Sequence, residues 1–162
     1  MIVADTSSLI TLATADILNA VLEEYDVHIT ETVIEELKET AEYDDAHGSS
    51  AQIVLDQREQ LSIHGTKNRT FQSSRVDQGE GSCAALTRKI EASFLITDDL
   101  RALPELQTIA QAKVAVSPIL MKALVQRDVL EEEEALEILE ELAEERDWLG
   151  APIYRRAQQL FK

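Results

Sequence analysis

The sequence is poor in cysteine, glycine, proline, aromatic residues and positive charge. Its one cysteine, Cys83, leaves no internal disulfide and none of the paired cysteines of a zinc ribbon or finger. Five glycines and three prolines in 162 residues are too few for a collagen-like or linker-like chain. Aromatic residues make up 4%, so a core has to come from Leu, Ile, Val and Ala. No apolar run approaches the roughly 20 residues that cross a bilayer. The N-terminus meets an acid at Asp5 with no basic segment before it, so no secretory signal is expected. These absences point to a cytoplasmic protein with no membrane partner. His28, His47 and His64 lack ligand spacings such as H-E-x-x-H.

Positive charge is the largest deficit. Fifteen Lys and Arg stand against 31 Asp and Glu, a formal net charge of −16. A hydrophobic content of 44% argues against acidic disorder, and no EF-hand loop is present. The charge fits a surface suited to concentrated salt, where at about 1 M the screening length falls to roughly 3 Å. A halophilic host is the expectation.

What is present alternates. The short apolar runs "IVA", "VHIT", "LSIHG", "SFLIT" and "KVAVS" read as strands. Between them lie helical patterns: one from about Ser8, "DILNAVLEEY" with Asp16 as its N-cap, and "TVIEELKETAE" capped by Thr30 or Thr32. "DAHGSSAQIVLDQREQ" follows, then "GEGSCAALTRKI" entered through its glycines, "LRALPELQTIAQA", and "SPILMKALVQRDVL" with Pro118 at its first position. This order implies one α/β domain, an α/β/α sandwich around a mostly parallel sheet. Residues from about 131 to 162 form a helical extension packed on that domain or on a partner. Its glutamates, Glu131 to Glu134 among them, line a solvated face opposite Ala135, Ile138, Leu139 and Leu142.

The acids fall in a pattern. Asp5 directly follows the first apolar run, and Asp98 and Asp99 directly follow "FLIT". In parallel sheets, sites form beyond the carboxyl ends of strands. If these two strands are neighbours their carboxylates crowd together, and a cation offsets the repulsion. Mg²⁺ and Mn²⁺ prefer such oxygen ligands. On "TVIEEL", Glu36 lies roughly 115° and Glu35 roughly 145° from the centre of the apolar face, so Glu36 is the better placed of the two by a small margin. Glu80 opens a helix between Gly79 and Gly81, where the helix dipole tolerates negative charge. Taken singly, each acid also reads as a cap, a turn or a solvated helix residue.

In this order and at these intervals, "IVADTSSLI", "TVIEEL", "VDQGEGSCAAL" and "FLITDDLRA" resemble a PIN domain, over about residues 1–125. The "GE" before an alanine-rich helix and the "DD" closing the next strand are most similar to the VapC-like branch found with toxin–antitoxin systems. The resemblance implies a metal-dependent endoribonuclease that hydrolyses RNA with Mg²⁺ or Mn²⁺. It carries the ligand role to Asp5, Glu36, Glu80 and one or both of Asp98 and Asp99. Thr6, Ser7 and Thr97 would orient carboxylates or metal waters. An antitoxin protein is the implied partner, and a homodimer is an expectation from relatives.

RNA binding by so acidic a chain needs local positive charge. Lys67, Arg69 and Arg75 lie in the polar stretch before Glu80, and Arg88 and Lys89 follow it, so these are the candidate phosphate contacts. A catalytically inactive PIN-fold module that binds RNA or protein is the competing reading. A phosphotransferase of the haloacid dehalogenase type is disfavoured, because it needs a second Asp two residues after the first and Ser7 stands there. A receiver domain is disfavoured because its acid pair follows the first strand.

Overall fold

The computed structural model describes residues 1–65, 72–146, 148 and 150–162. Its strands are β1 (Ile2–Ala4), β2 (Val27–Thr30), β3 (Ser62–His64), β4 (Phe94–Ile96) and β5 (Lys113–Ala115). All pair in parallel in the order β3-β2-β1-β4-β5. Each is only three or four residues long; β1 and β4 at the centre are wholly apolar, and β2 is buried along its length, as helices on both faces require. Val3, Ile29, Leu95 and Ile96 are fully buried.

The helices are α1 (Thr6–Thr14), α2 (Leu18–Glu24), α3 (Glu31–Ala41), α4 (Ala46–Asp56), α5 (Gln78–Ile90), α6 (Leu103–Ile109), α7 (Pro118–Gln126), α8 (Glu132–Glu145) and α9 (Pro152–Gln159). The result is an α/β/α sandwich, as the alternation of runs in the sequence implies. Buried residues of the last two helices, Leu139, Leu142 and Ala143 from α8 and Ile153 and Ala157 from α9, belong to the same core cluster as the sheet.

The topology places the site. The chain builds outward from β1 through β2 to β3, then returns along α5 to lay β4 on the other side of β1 and continues to β5. Strand order therefore reverses between β1 and β4, the position where parallel sheets open a crevice at their carboxyl ends. The register pairs Ala4 with Ile96, so the next residues, Asp5 and Thr97, emerge side by side.

Short polar side chains start the helices near this crevice. Asp5 accepts from Ser8 N–H, Thr30 from Val33 N–H, Asp45 from Gly48 N–H and Asp77 from Glu80 N–H. Each such cap contributes about 1 kcal/mol. Thr30, not Thr32, is thus the cap of α3. The first helix begins at Thr6, two residues before the expected start, because Asp5 caps it.

Asp16 is a correction. It does not cap α2, whose N-cap Ile17 makes no side-chain bond. Asp16 instead ends α1 with φ +58°. Its N–H donates to Ala13 C=O at 3.1 Å and that of Ile17 to Leu12 C=O at 3.1 Å. That is the Schellman pattern, which needs a left-handed residue, and aspartate adopts that conformation more readily than most residues.

Candidate active site

A cavity of about 250 Å³ opens at the carboxyl end of the sheet. Five carboxylates line it: Asp5 after β1, Glu36 from α3, Asp77 at the N-cap of α5, Glu80 from the first turn of α5, and Asp99 from the turn after β4. Asp5 is 3% exposed and Glu80 6%. Glu36 is half-buried, whereas Glu35 beside it is exposed.

Hydroxyls hold these acids. Ser7 Oγ donates to Asp5 Oδ1 at 2.9 Å and Thr97 Oγ1 to Asp5 Oδ2 at 2.5 Å. Thr6 Oγ1 donates to Glu36 Oε1 at 3.0 Å. Thr97 Oγ1 also accepts from Asp99 N–H at 3.2 Å, and Ser7 Oγ from Asp98 N–H at 3.0 Å. The three hydroxyls therefore tie β1 and α1 to the β4 turn and to Glu36.

The two adjacent aspartates part company. Asp99 lines the cavity, and its Oδ1 accepts from Arg101 and Ala102 N–H at 3.0 and 3.3 Å. Asp98 is not on the cavity wall. Its two oxygens accept from the Ser117 N–H and Oγ–H, each at 2.7 Å, which fixes the start of α7.

Burial sets the electrostatics. It pushes Asp5 from 3.8 up to about 6, against the pull of its hydrogen bonds from Thr97 and Ser8. It pushes Glu36 from 4.5 up to about 7, with Asp77 adding repulsion. Glu80 is raised as well, by burial first, with the neighbouring Asp99 and Asp77 carboxylates adding to it. Burial is the main cause for all three acids, and repulsion between neighbouring carboxylates adds to it.

The donors, carboxylates and hydroxyls, suit Mg²⁺ or Mn²⁺ by chemistry. Among the described residues, no three acids, histidines or cysteine already stand as a ligand cluster. The acids line one cavity, and Asp5, Glu36, Glu80 and Asp99 are the ones that could hold a cation.

Three polar wall residues were not anticipated: Asp77, His47 and Arg146. The first carries a readable signal, since D-x-x-E is a capping-box pattern, and Asp77 and Glu80 do cap each other's backbone N–H groups at 2.8 and 3.0 Å. Arg146 depends on how α8 docks, and local sequence holds no trace of that. Of the expected phosphate contacts, Lys67 and Arg69 lie outside the described residues. Arg75 is exposed and is not on the cavity wall. Arg88 and Lys89 sit in the last turn of α5, about 12 Å along the axis from Glu80. Cys83 is fully buried, in keeping with a small core side chain.

Over residues 1–162 the chain matches a family described as PIN domain, and it belongs to that family. The match runs past the motifs at residues 1–125 and takes in α8 and α9. PIN domains are nuclease-type folds, and their nucleases generally use divalent metals. No curated protein matches the sequence. No described helix is long and apolar enough to cross a membrane.

Proposed function

We propose that this chain is a metal-dependent endoribonuclease that hydrolyses RNA phosphodiester bonds and acts as the toxin of a toxin–antitoxin pair. The observation that carries the nuclease reading is the meeting of Asp5, Glu36, Glu80 and Asp99, from four elements, on one cavity at the strand-order reversal. The "GE" and "DD" motifs support the toxin assignment by resemblance, and the charge of −16 suits work in high salt.

Asp5, Glu36, Glu80 and Asp99 would hold Mg²⁺ or Mn²⁺. When bound, the ion supplies a more acidic water and positive charge for the leaving oxygen. The chain's own residues prepare for this. Ser7 and Thr97 orient Asp5 through both its oxygens, and Thr6 orients Glu36. Asp5, Glu36 and Glu80 give up the protons that burial makes them retain, so ion uptake releases protons. Asp98 acts at one remove, by bracing the β4 turn against Ser117.

The alternative, a PIN-fold module that binds without cutting, has one observation in its favour. Asp5, Glu80 and Asp99 each accept from backbone N–H groups, duties that need no metal. Calorimetric titration with Mn²⁺ separates the two. The nuclease reading expects saturable binding with proton release, weakened at least tenfold in Asp5→Asn, which can still cap α1. Absence of binding to the wild type leaves the module.

A further inference from the structure

Arg146 is the one arginine or lysine on the described wall of the acidic cavity. It stands at the C-terminal cap of α8, and its position is fixed on both sides. Its backbone N–H donates to Leu142 C=O at 2.8 Å, and that of Trp148 to Ala143 C=O at 2.7 Å. The side chains of Leu142, Ala143 and Trp148 are buried. The core thus anchors the turn that delivers the guanidinium.

Nothing described receives that guanidinium. Arg146 Nη1 is buried and, among the described residues, donates to no acceptor. Burial disfavours its charge, which Asp98 and Asp5 favour, yet Arg146 closes no ion pair with a described carboxylate. A buried charged donor left unspent is costly, and a guanidinium serving only as counter-ion would close on a neighbouring acid. An acceptor from outside the chain accounts for the arrangement. The planar fork of N–H donors matches two oxygens of one phosphate. Surface charge does not supply that recognition in a chain of −16.

We propose that Arg146 binds the non-bridging oxygens of the RNA phosphate presented to Asp5, Glu36, Glu80 and Asp99; the identity of the ligand rests on the nuclease reading above. The C-terminal helices then complete the site, with α8 supplying its phosphate contact.

The test is fluorescence anisotropy of a short single-stranded RNA in Ca²⁺, with RNA integrity checked on a gel. Wild type, Arg146→Met and Arg146→Lys are compared across a KCl series, alongside Mn²⁺ calorimetry. Arg146→Met is expected to bind RNA roughly ten- to a hundredfold more weakly. Its slope of log affinity against log salt should fall by about 0.7, the value of one single-strand phosphate contact. Arg146→Lys should keep the slope and lose part of the affinity, because it keeps the charge without the fork. Mn²⁺ affinity should be no weaker in either variant.

Unchanged RNA affinity and slope in Arg146→Met overturn the proposal, and stronger Mn²⁺ binding in that case makes Arg146 a counter-ion. Failure of the wild type to bind RNA overturns it too. A wild type that takes up no Mn²⁺ but loses RNA affinity with Arg146→Met refutes the nuclease reading and leaves the phosphate contact standing. Should Arg146→Met unfold, a folded Arg146→Lys with wild-type RNA affinity is the overturning result.

Discussion

Gly79 lies so close to Glu36 that a methyl group on it would stand 1.9 Å from Glu36 Oε1. With Glu36 where it stands, the first turn of α5 leaves no room for a side chain at this position. Gly→Ala inside a helix ordinarily stabilises by about 1 kcal/mol. Here the atom in the way is the end of a flexible carboxylate, so Glu36 yields and the fold survives. Gly79→Ala should leave urea stability within about 1 kcal/mol of wild type. It should also displace Glu36 from Thr6 and weaken Mn²⁺ binding at least tenfold. Wild-type Mn²⁺ affinity in a folded Gly79→Ala protein would count against Glu36 as a ligand.

Thr97 is fully buried and serves both Asp5 and the Asp99 N–H. Thr97→Val keeps the shape and strands both partners. Leaving a buried polar group unsatisfied costs about 1–3 kcal/mol, and chemical denaturation at pH 7 should show a loss in that range. A variant as stable as wild type would mean that the hydroxyl bonds contribute nothing.

Asp98 and Asp99 should separate by function. Asp98→Ala removes both acceptors of Ser117 and should destabilise by about 1–3 kcal/mol, while Mn²⁺ still binds. Asp99→Asn keeps its cap and should lose Mn²⁺ binding with little change in stability. Paired calorimetry and denaturation check this, and the reverse assignment would move the ligand role to Asp98.

The raised acids set the pH dependence of the metal-free protein. Asp5 holds a proton up to about pH 6 when folded and releases it near 3.8 when unfolded. Its contribution to stability is therefore full below about pH 4 and is lost as pH rises through 6, a change on the order of 3 kcal/mol. Glu36, raised to about 7, acts in the same direction with a smaller effect because it is only half-buried. Melting temperature in EDTA should carry a falling contribution between about pH 4 and 7, and Asp5→Asn should shallow it. Identical slopes for the two proteins would show that Asp5 is not so perturbed.

Much of this architecture could be read before any coordinates. An apolar run stopped by an acid located Asp5 and the Asp98–Asp99 pair, because short buried strands leave little else that could follow. Helical geometry favoured Glu36 over Glu35 by a narrow margin, and it is Glu36 that meets Thr6. Asp16 misled because an aspartate before a helix looks like a cap, while the tight reversal after α1 needed a left-handed residue. The Asp98–Asp99 choice stayed open because it turns on Ser117, 19 residues from Asp98 and brought to it only by the β4–β5 pairing. Arg146 was invisible for the same reason on a larger scale: its place depends on α8 packing on α7.

Metal-dependent cutting at Asp5, Glu36, Glu80 and Asp99, as proposed here, is best put to the test with purified protein and Asp5→Asn incubated with single-stranded and structured RNA at high KCl. Mn²⁺, Mg²⁺ and EDTA form the three arms. Cleavage in Mn²⁺ or Mg²⁺ that EDTA and Asp5→Asn both abolish is the predicted result. No cleavage by the wild type in either metal, or equal cleavage by Asp5→Asn, would rule out a metal-dependent nuclease at these acids.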